Sequence, residues 1–395
     1  MKGPICAVQI DLDTCWWFDA YNENNGEFID SYRDKLYDFL KENVLNANAN
    51  TVYLQAFSEE GTDNEQKNDK WASDLFFEIE PVEDITRSHA LAFQDAIDII
   101  KELNPECNVL AWMPTLNVKQ LTEHNRGNLV VNYRGVRVNH NQNEAAWYRR
   151  GSPFSEYTQS YLKKVYAALG RVSSQLDGVL LNDDLFINNW EDFSPAGKAA
   201  AQKYHAVDNK YQLKRWLDDD EASSPWQLYK AETLDDLAND IFDEFQRSYR
   251  HAFPEAYEKR LSSKQPLIQA RNMYANTIEV LSNEKVKIFF GQDINLWTEN
   301  CDQVVIMAYP SEDKDGDNSF ITHWLSQLVN IAEQYNIDID KLVFKIQSCY
   351  WNSGNLRSKN ELRKRLGALH EAGATNLGYY PQFPCVNTED SLFPR

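Results

Sequence analysis

Eight short apolar runs recur along the chain, at Cys6–Asp11, Thr51–Phe57, Asn108–Pro114, Gly178–Asn182, Leu267–Asn272, Gln303–Tyr309, Leu342–Ser348 and Thr375–Tyr380. Most are nearly continuous rather than alternating, the pattern of strands covered on both faces. Between them lie segments with apolar residues at helical spacing: Ile29–Leu45, His89–Leu103, Glu156–Leu169, Leu234–Ala252, Phe320–Tyr335 and Lys359–Ala372. Strands alternating with helices predict an α/β protein with a parallel sheet, and eight of them fit a closed (β/α)8 TIM-like barrel better than an open doubly wound sheet. Long polar stretches at Ser58–Ser73, Lys119–Arg150 and Pro195–Leu228 follow the second, third and fourth strands. In a barrel these are βα loops on the C-terminal face, where insertions build a substrate groove. There is no internal repeat and no linker rich in Pro, Gly or Ser, so one barrel domain over residues 1–395 is expected.

Composition narrows the function. The 43% hydrophobic content excludes a disordered chain, and a net charge of −20 argues against a nucleic-acid partner and for solubility or a cationic ligand. No Gly-x-Gly-x-x-Gly or P-loop pattern follows any strand, which leaves nucleotide binding without support. The run from Ile5 to Ile10 is interrupted by Gln9 and followed by Asp11 and Asp13, so it reads as a first strand, not as a signal peptide or a membrane span. The chain is expected to be cytosolic or a mature or excised piece. Six cysteines lack Cys-x-x-Cys spacing, and seven histidines show neither His-x-His nor His-x-x-x-His spacing and sit at no strand end. Asp313 to Asp317 is oxygen-rich but lacks the terminal Glu of an EF-hand loop. No metal and no cofactor are expected.

The most informative feature is the strand end Val179-Leu180-Leu181-Asn182-Asp183-Asp184. Two adjacent carboxylates repel, and they need a polar mouth, a cation or a shared proton. The other strand ends bring to the same rim Asp11 and Asp13, Gln55, Trp112, Arg271 and Asn272, Tyr309, Gln347, Trp351, and Tyr379 with Tyr380. Carboxylates, amides and large rings together suit a sugar, although Trp112 and Tyr379 also fit barrel-top packing and Arg271 a structural ion pair. Glycoside hydrolysis requires a proton for the leaving oxygen and a group that attacks or stabilises the anomeric carbon. At the turn, Asp184 is the candidate general acid, with its proton affinity raised by its neighbour, and Asp183 the carboxylate that orients a substrate N-acetyl group for attack. Glu191 and Asp192 form a reserve pair whose alternative is a solvated loop or helix start.

These segments resemble the C-terminal glycoside-hydrolase domains of PgaB proteins, which cleave poly-β-1,6-N-acetylglucosamine of the biofilm matrix. The resemblance is carried by Val8 to Asp13, Thr51 to Phe57, Ala111-Trp112-Met113-Pro114, Ser152-Pro153-Phe154, Asp177 to Asp184, Ala270 to Ala275, and Gly373-Ala374 through Gly378-Tyr379-Tyr380-Pro381, in order along nearly the whole chain. It implies a (β/α)8 barrel, endo-hydrolysis of partially de-N-acetylated polymer in an electronegative groove, a cationic amino-sugar polysaccharide as partner without membrane insertion, and a periplasmic or secreted setting. With no deacetylase domain ahead of residue 5, deacetylation is not expected. Two departures stand out. Asn182 occupies a position where such domains carry His, and Gln382-Phe383-Pro384 replaces acidic residues after Tyr-Tyr-Pro. A non-catalytic polysaccharide-binding or export module of the same fold, and a hydrolase of another amino-sugar polymer, are the alternatives; the oligomeric state is left open.

Overall fold

The computed structural model describes residues 3–12, 21–22, 27–28, 32–59, 73–77, 79, 87–118, 121, 128–132, 150–188, 191–205, 225–283, 288–311, 317–351 and 353–394. Eight strands, β1 (Cys6–Ile10), β2 (Thr51–Gln55), β3 (Asn108–Met113), β4 (Gly178–Leu181), β5 (Ile268–Tyr274), β6 (Gln303–Ala308), β7 (Leu342–Gln347) and β8 (Asn376–Tyr380), close into one barrel. Every neighbouring pair is parallel, and β1 closes the ring between β8 and β2. The expected (β/α)8 fold is therefore present, with strand ends one or two residues from those read off the sequence.

The helices are α1 (Tyr32–Leu40), α2 (Arg87–Leu103), α3 (Glu156–Leu169), α4 (Pro195–His205), α5 (Pro225–Ala252), α6 (Pro254–Ser262), α7 (Asn276–Glu279), α8 (Ile294–Asn300), α9 (Asn318–Gln334) and α10 (Lys359–Glu371). Their starts are written locally: Asp293, Asp317 and Ser358 accept first-turn N–H bonds of α8, α9 and α10. Two expected boundaries are corrected. The polar stretch Pro195–Leu228 is not all loop, because the Ala-rich run at 199–201 makes α4, capped by the Ser194 hydroxyl, which accepts from Gly197 N–H at 3.0 Å. The helix expected to begin at Leu234 starts at Pro225, whose ring suits a first turn. Within the stretch Ser58–Ser73, the chain at Phe57–Glu59 pairs antiparallel with Ser73–Leu75.

At the N-terminal end of the barrel, Asp177 accepts from Val109 N–H at 2.7 Å, Lys101 at 2.6 Å and Arg260 at 2.8 Å, tying α2 and α6 to the start of β4. The next residue must be glycine, since a Cβ on Gly178 would lie 2.0 Å from the Ile268 carbonyl oxygen of the neighbouring strand. Val, Leu and Ile side chains of the strands fill the layer beneath the helices. The interior is polar in places: Tyr53 Oη donates across it to Gln303 Oε1 at 2.8 Å, and Lys345 bonds residues of β1 and β5.

Candidate active site

The side-chain alternation of each strand decides which predicted residues reach the mouth. On β3 Trp112 turns inward; its indole N–H donates to Asn182 Oδ1 at 2.8 Å, and its ring meets Phe57 at 5.0 Å and Tyr380 at 5.4 Å, both edge-on. Tyr380 meets Trp351 at 5.6 Å, and Trp351 meets Tyr309 at 5.8 Å. The ends of β2, β3, β6, β7 and β8 thus build a continuous aromatic wall. Trp351, 44% exposed, offers an open ring face on it. Tyr380 Oη also donates to Asp11 Oδ2 at 3.4 Å, and Gln382 Oε1 accepts from Asp11 N–H at 3.0 Å. Gln382, standing where acidic residues were expected, therefore holds the β1 turn. Gln55 is buried at the end of β2. Gln347 gives its Nε2–H to Cys349 O at 2.7 Å, while its Oε1 and the Tyr309 hydroxyl are buried with no hydrogen-bond partner among the described residues. Buried polar atoms in that state await a ligand or water. Asp13 lies outside the described residues.

The two aspartates differ sharply. Asp183 is half-buried, and Tyr274 Oη from the end of β5 donates to its carbonyl at 3.3 Å and its Oδ2 at 3.4 Å. Asp184 is 0% exposed. Its carboxylate accepts Thr115 N–H at 3.0 and 2.9 Å and Asn117 N–H at 2.6 Å from the turn after β3. Burial pushes the Asp184 carboxyl up to about 7; the Asn117 and Thr115 N–H groups and Arg150 oppose that rise, and the Asp183 charge adds to it. The expected general acid is thus a carboxyl facing the turn behind the mouth, and its neighbour is the one that meets the opening.

Arg271 and Tyr379 do not join the site. Each is adjacent to a residue that faces inward, Asn272 and Tyr380, and so points to the helix layer. Arg271 is buried in an ion pair with Asp235 of α5 at 2.5 Å. Tyr379 packs on Phe393 at 5.5 Å in the C-terminal segment. Glu191 and Asp192 are neither solvated nor in the mouth. Arg150 grips both Glu191 oxygens at 3.1 and 2.9 Å, Lys230 bonds the carbonyls of Asn188 and Glu191, and Asp192 accepts from Val131 and Ser194. This cluster buttresses the loop after β4. Lys345, absent from the expected set, stands inside the barrel, its Nζ 2.5 Å from Gln9 Oε1 and 2.8 Å from Asn272 Oδ1. A lysine in the middle of the apolar run Leu342 to Ile346 was the available signal.

A family model, GHL13, "Hypothetical glycosyl hydrolase family 13", matches residues 10–380, from the end of β1 to the end of β8. The chain belongs to this family. As a GHL13 member it is a glycoside hydrolase by family. It is 25% identical over 384 residues to the poly-β-1,6-N-acetyl-D-glucosamine N-deacetylase of Escherichia coli strain K12, covering 96% of this chain and 50% of that protein. The chain spans about half the length of the curated relatives it matches. Among solved structures it is similar to the PgaB (BpsB) glycoside hydrolase domain from Bordetella bronchiseptica, with a TM-score of 0.69, 21% identity, and coverage of 96% of this chain and 94% of that one. The β-galactosidase of Rahnella sp. R3 follows the same fold at a TM-score of 0.56 and 11% identity, over 99% of this chain and 52% of that one.

In this GHL13 chain Asn182 has a definite job, as acceptor for the Trp112 indole N–H. Asn182→Leu is expected to cost about 1–3 kcal/mol by leaving that buried donor unpaired. Asn182→His, whose ring nitrogen accepts the same bond, is expected to keep most of the stability. Urea unfolding of the three proteins checks this, and an equal loss in both variants would remove the hydrogen bond from the account.

Proposed function

We propose that this chain is an endo-acting hydrolase of partially de-N-acetylated poly-β-1,6-N-acetylglucosamine, in which Asp183 is the carboxyl that meets the sugar. The observation that carries the reading is the half-buried Asp183 at the end of β4, beside Tyr274, on a mouth walled by Trp112, Tyr380, Trp351 and Tyr309. A proton donor must come within hydrogen-bond reach of the leaving oxygen, and Asp184, wholly buried and bound by N–H groups, does not. In this proposal the acid role read from the sequence for Asp184 therefore passes to Asp183. Asp183 gives its proton to the glycosidic oxygen, and Asp184 holds the β3 and β4 turns together and acts on Asp183 through its charge. The substrate's own acetamide is the nucleophile, and Gln347 Oε1 and the Tyr309 hydroxyl, unpartnered among the described residues, are available to hold the sugar.

De-N-acetylated units carry amines, and a net charge of −20 draws such a polymer in. The test uses fully acetylated polymer, the partially de-N-acetylated form and chitosan in parallel, with products read by mass spectrometry. Oligosaccharides are expected from the partially de-N-acetylated form alone. Equal cleavage of all three would overturn recognition by charge, and binding without products would make the chain a binding module. Raising salt from about 0.05 to about 0.5 M is expected to raise KM several-fold with little change in kcat, because surface attraction is screened. The same reading sets the enzyme outside the cytoplasm, where an exported polymer is met; no helix among the described residues is long and apolar enough to cross a membrane.

A further inference from the structure

Lys345 sits in the middle of β7, wholly buried inside the barrel. Lysine is almost never buried unless paired, and a desolvated ammonium without a counterion is costly. The equally buried Arg150, Arg271 and Arg357 each have a carboxylate within hydrogen-bond distance: Glu191 at 2.9 Å, Asp235 at 2.5 Å and Glu361 at 2.8 Å. Lys345 has no such partner among the described residues. Its Nζ donates to two neutral amide oxygens, Gln9 Oε1 from β1 at 2.5 Å and Asn272 Oδ1 from β5 at 2.8 Å, which fix the charge in place without cancelling it. The rings of Tyr309 and Tyr380 flank it at 6.0 and 5.8 Å. Asn272, which accepts from Lys345, and Tyr274, whose hydroxyl donates to Asp183, stand two residues apart on the inward face of β5, so the ammonium lies one layer beneath that carboxylate, and the Asp183 charge favours the charged form of the lysine. Around Asp183 also stand Tyr274 of β5, Tyr309 at the end of β6 and Asp184 beside it in the chain.

We propose that Lys345 is a positioning residue for Asp183: its ammonium, moored by Gln9 and Asn272 in the barrel interior, holds a positive charge beneath the Asp183 carboxyl and so governs its proton exchange with the substrate. The inference rests on the reading of Asp183 as the substrate-facing group. Asp183 then works between opposed charges, Asp184 beside it and Lys345 beneath. Burial draws the Lys345 ammonium down to about 7, and the Asp183 charge opposes this.

The test compares wild type, Lys345→Met, Lys345→Arg and Gln9→Glu on partially de-N-acetylated polymer. Lys345→Met is expected to lower kcat on the order of 10- to 100-fold with KM within about twofold, and to move the basic limb of the pH–rate profile upward by about one unit, because a lost cation strengthens the proton's hold on a carboxyl. Lys345→Arg restores the limb toward wild type. Gln9→Glu, which keeps the shape of the site and gives Lys345 a carboxylate of its own, moves the limb in the same direction as Lys345→Met. That arm stands even where the methionine variant fails to fold. A lower kcat with an unmoved limb in every folded variant would make Lys345 merely structural. Titration of the Asp183 carboxyl by carbon NMR in the unliganded protein, assigned with Asp183→Asn, separates the two claims. An Asp183 titration identical in wild type and Gln9→Glu overturns the role of Lys345 even if the polymer is cut. A shifted titration in a protein that cuts no polymer supports the coupling and sinks the hydrolase reading.

Discussion

Asp183→Asn is expected to lower kcat on the polymer on the order of 10²–10⁴-fold, the range for removing a group that transfers a proton, while leaving the unfolding midpoint near that of the wild type. This side chain is half-buried at the mouth, and the hydrogen bond from Tyr274 is long, at 3.4 Å. Asp184→Ala should behave in the opposite way. It strips the acceptor from the Thr115 and Asn117 N–H groups, both buried, at about 1–3 kcal/mol each, a large share of the roughly 5–15 kcal/mol that keeps a protein folded. Activity falls there too, because the turn that carries Asp183 loosens. A pH series adds a second readout. With the Asp184 carboxyl raised from 3.8 to about 7, the native state binds more protons than the unfolded chain across that window, so unfolding free energy declines as pH rises through it. Replacing Asp184 with Asn abolishes that slope. Kinetics and urea unfolding on both variants decide the assignment: near wild-type turnover in Asp183→Asn, together with an inactive but normally stable Asp184→Asn, would return the acid role to Asp184.

The fold was legible because its signal is repeated eight times; a barrel strand covered on both faces leaves an apolar run whatever its loop does. The mouth was harder to read, and the reason is parity. At a strand end two adjacent polar residues are equally eligible from composition, yet a pleated strand sends one inward and the other to the helices. Asn272 went inward and Arg271 outward; Tyr380 went inward and Tyr379 outward. Knowing that Gln9 and Lys345 interrupt apolar strands would have set the phase of β1 and β7, since a polar side chain in such a strand needs the polar interior. Nothing local marked Glu191 as buried, because its partner Arg150 lies 41 residues away and the two meet only when the loops after β3 and β4 pack. The burial of Asp184 was hidden for a related reason: its partners are backbone N–H groups at Thr115 and Asn117, which carry no sequence signature.

Arg271→Met is expected to destabilise the protein by about 3–5 kcal/mol, the cost of leaving a buried carboxylate without its cation, and to leave kcat and KM of the folded fraction unchanged. The Arg271 guanidinium is held on the outside of β5 by Asp235 at 2.5 Å, Asn239 at 2.7 Å and Gln269 at 3.0 Å, with the Trp297 ring 5.4 Å away. Asp235 in turn accepts from Asn239 at 3.0 Å and Asn300 at 2.7 Å. The network links β5 to α5 and α8 on the side of the sheet away from the sugar. A methionine fills much of the volume, so the loss is electrostatic rather than a cavity, and Arg271→Met combined with Asp235→Leu should recover most of the stability because no charge is then stranded. Denaturant unfolding of the single and double variants, with Michaelis kinetics on each, reads both halves of the expectation. A tenfold rise in KM at unchanged stability would put Arg271 back among the groups that hold the polymer, and would mean that the barrel's outer layer, and not only its mouth, shapes the site.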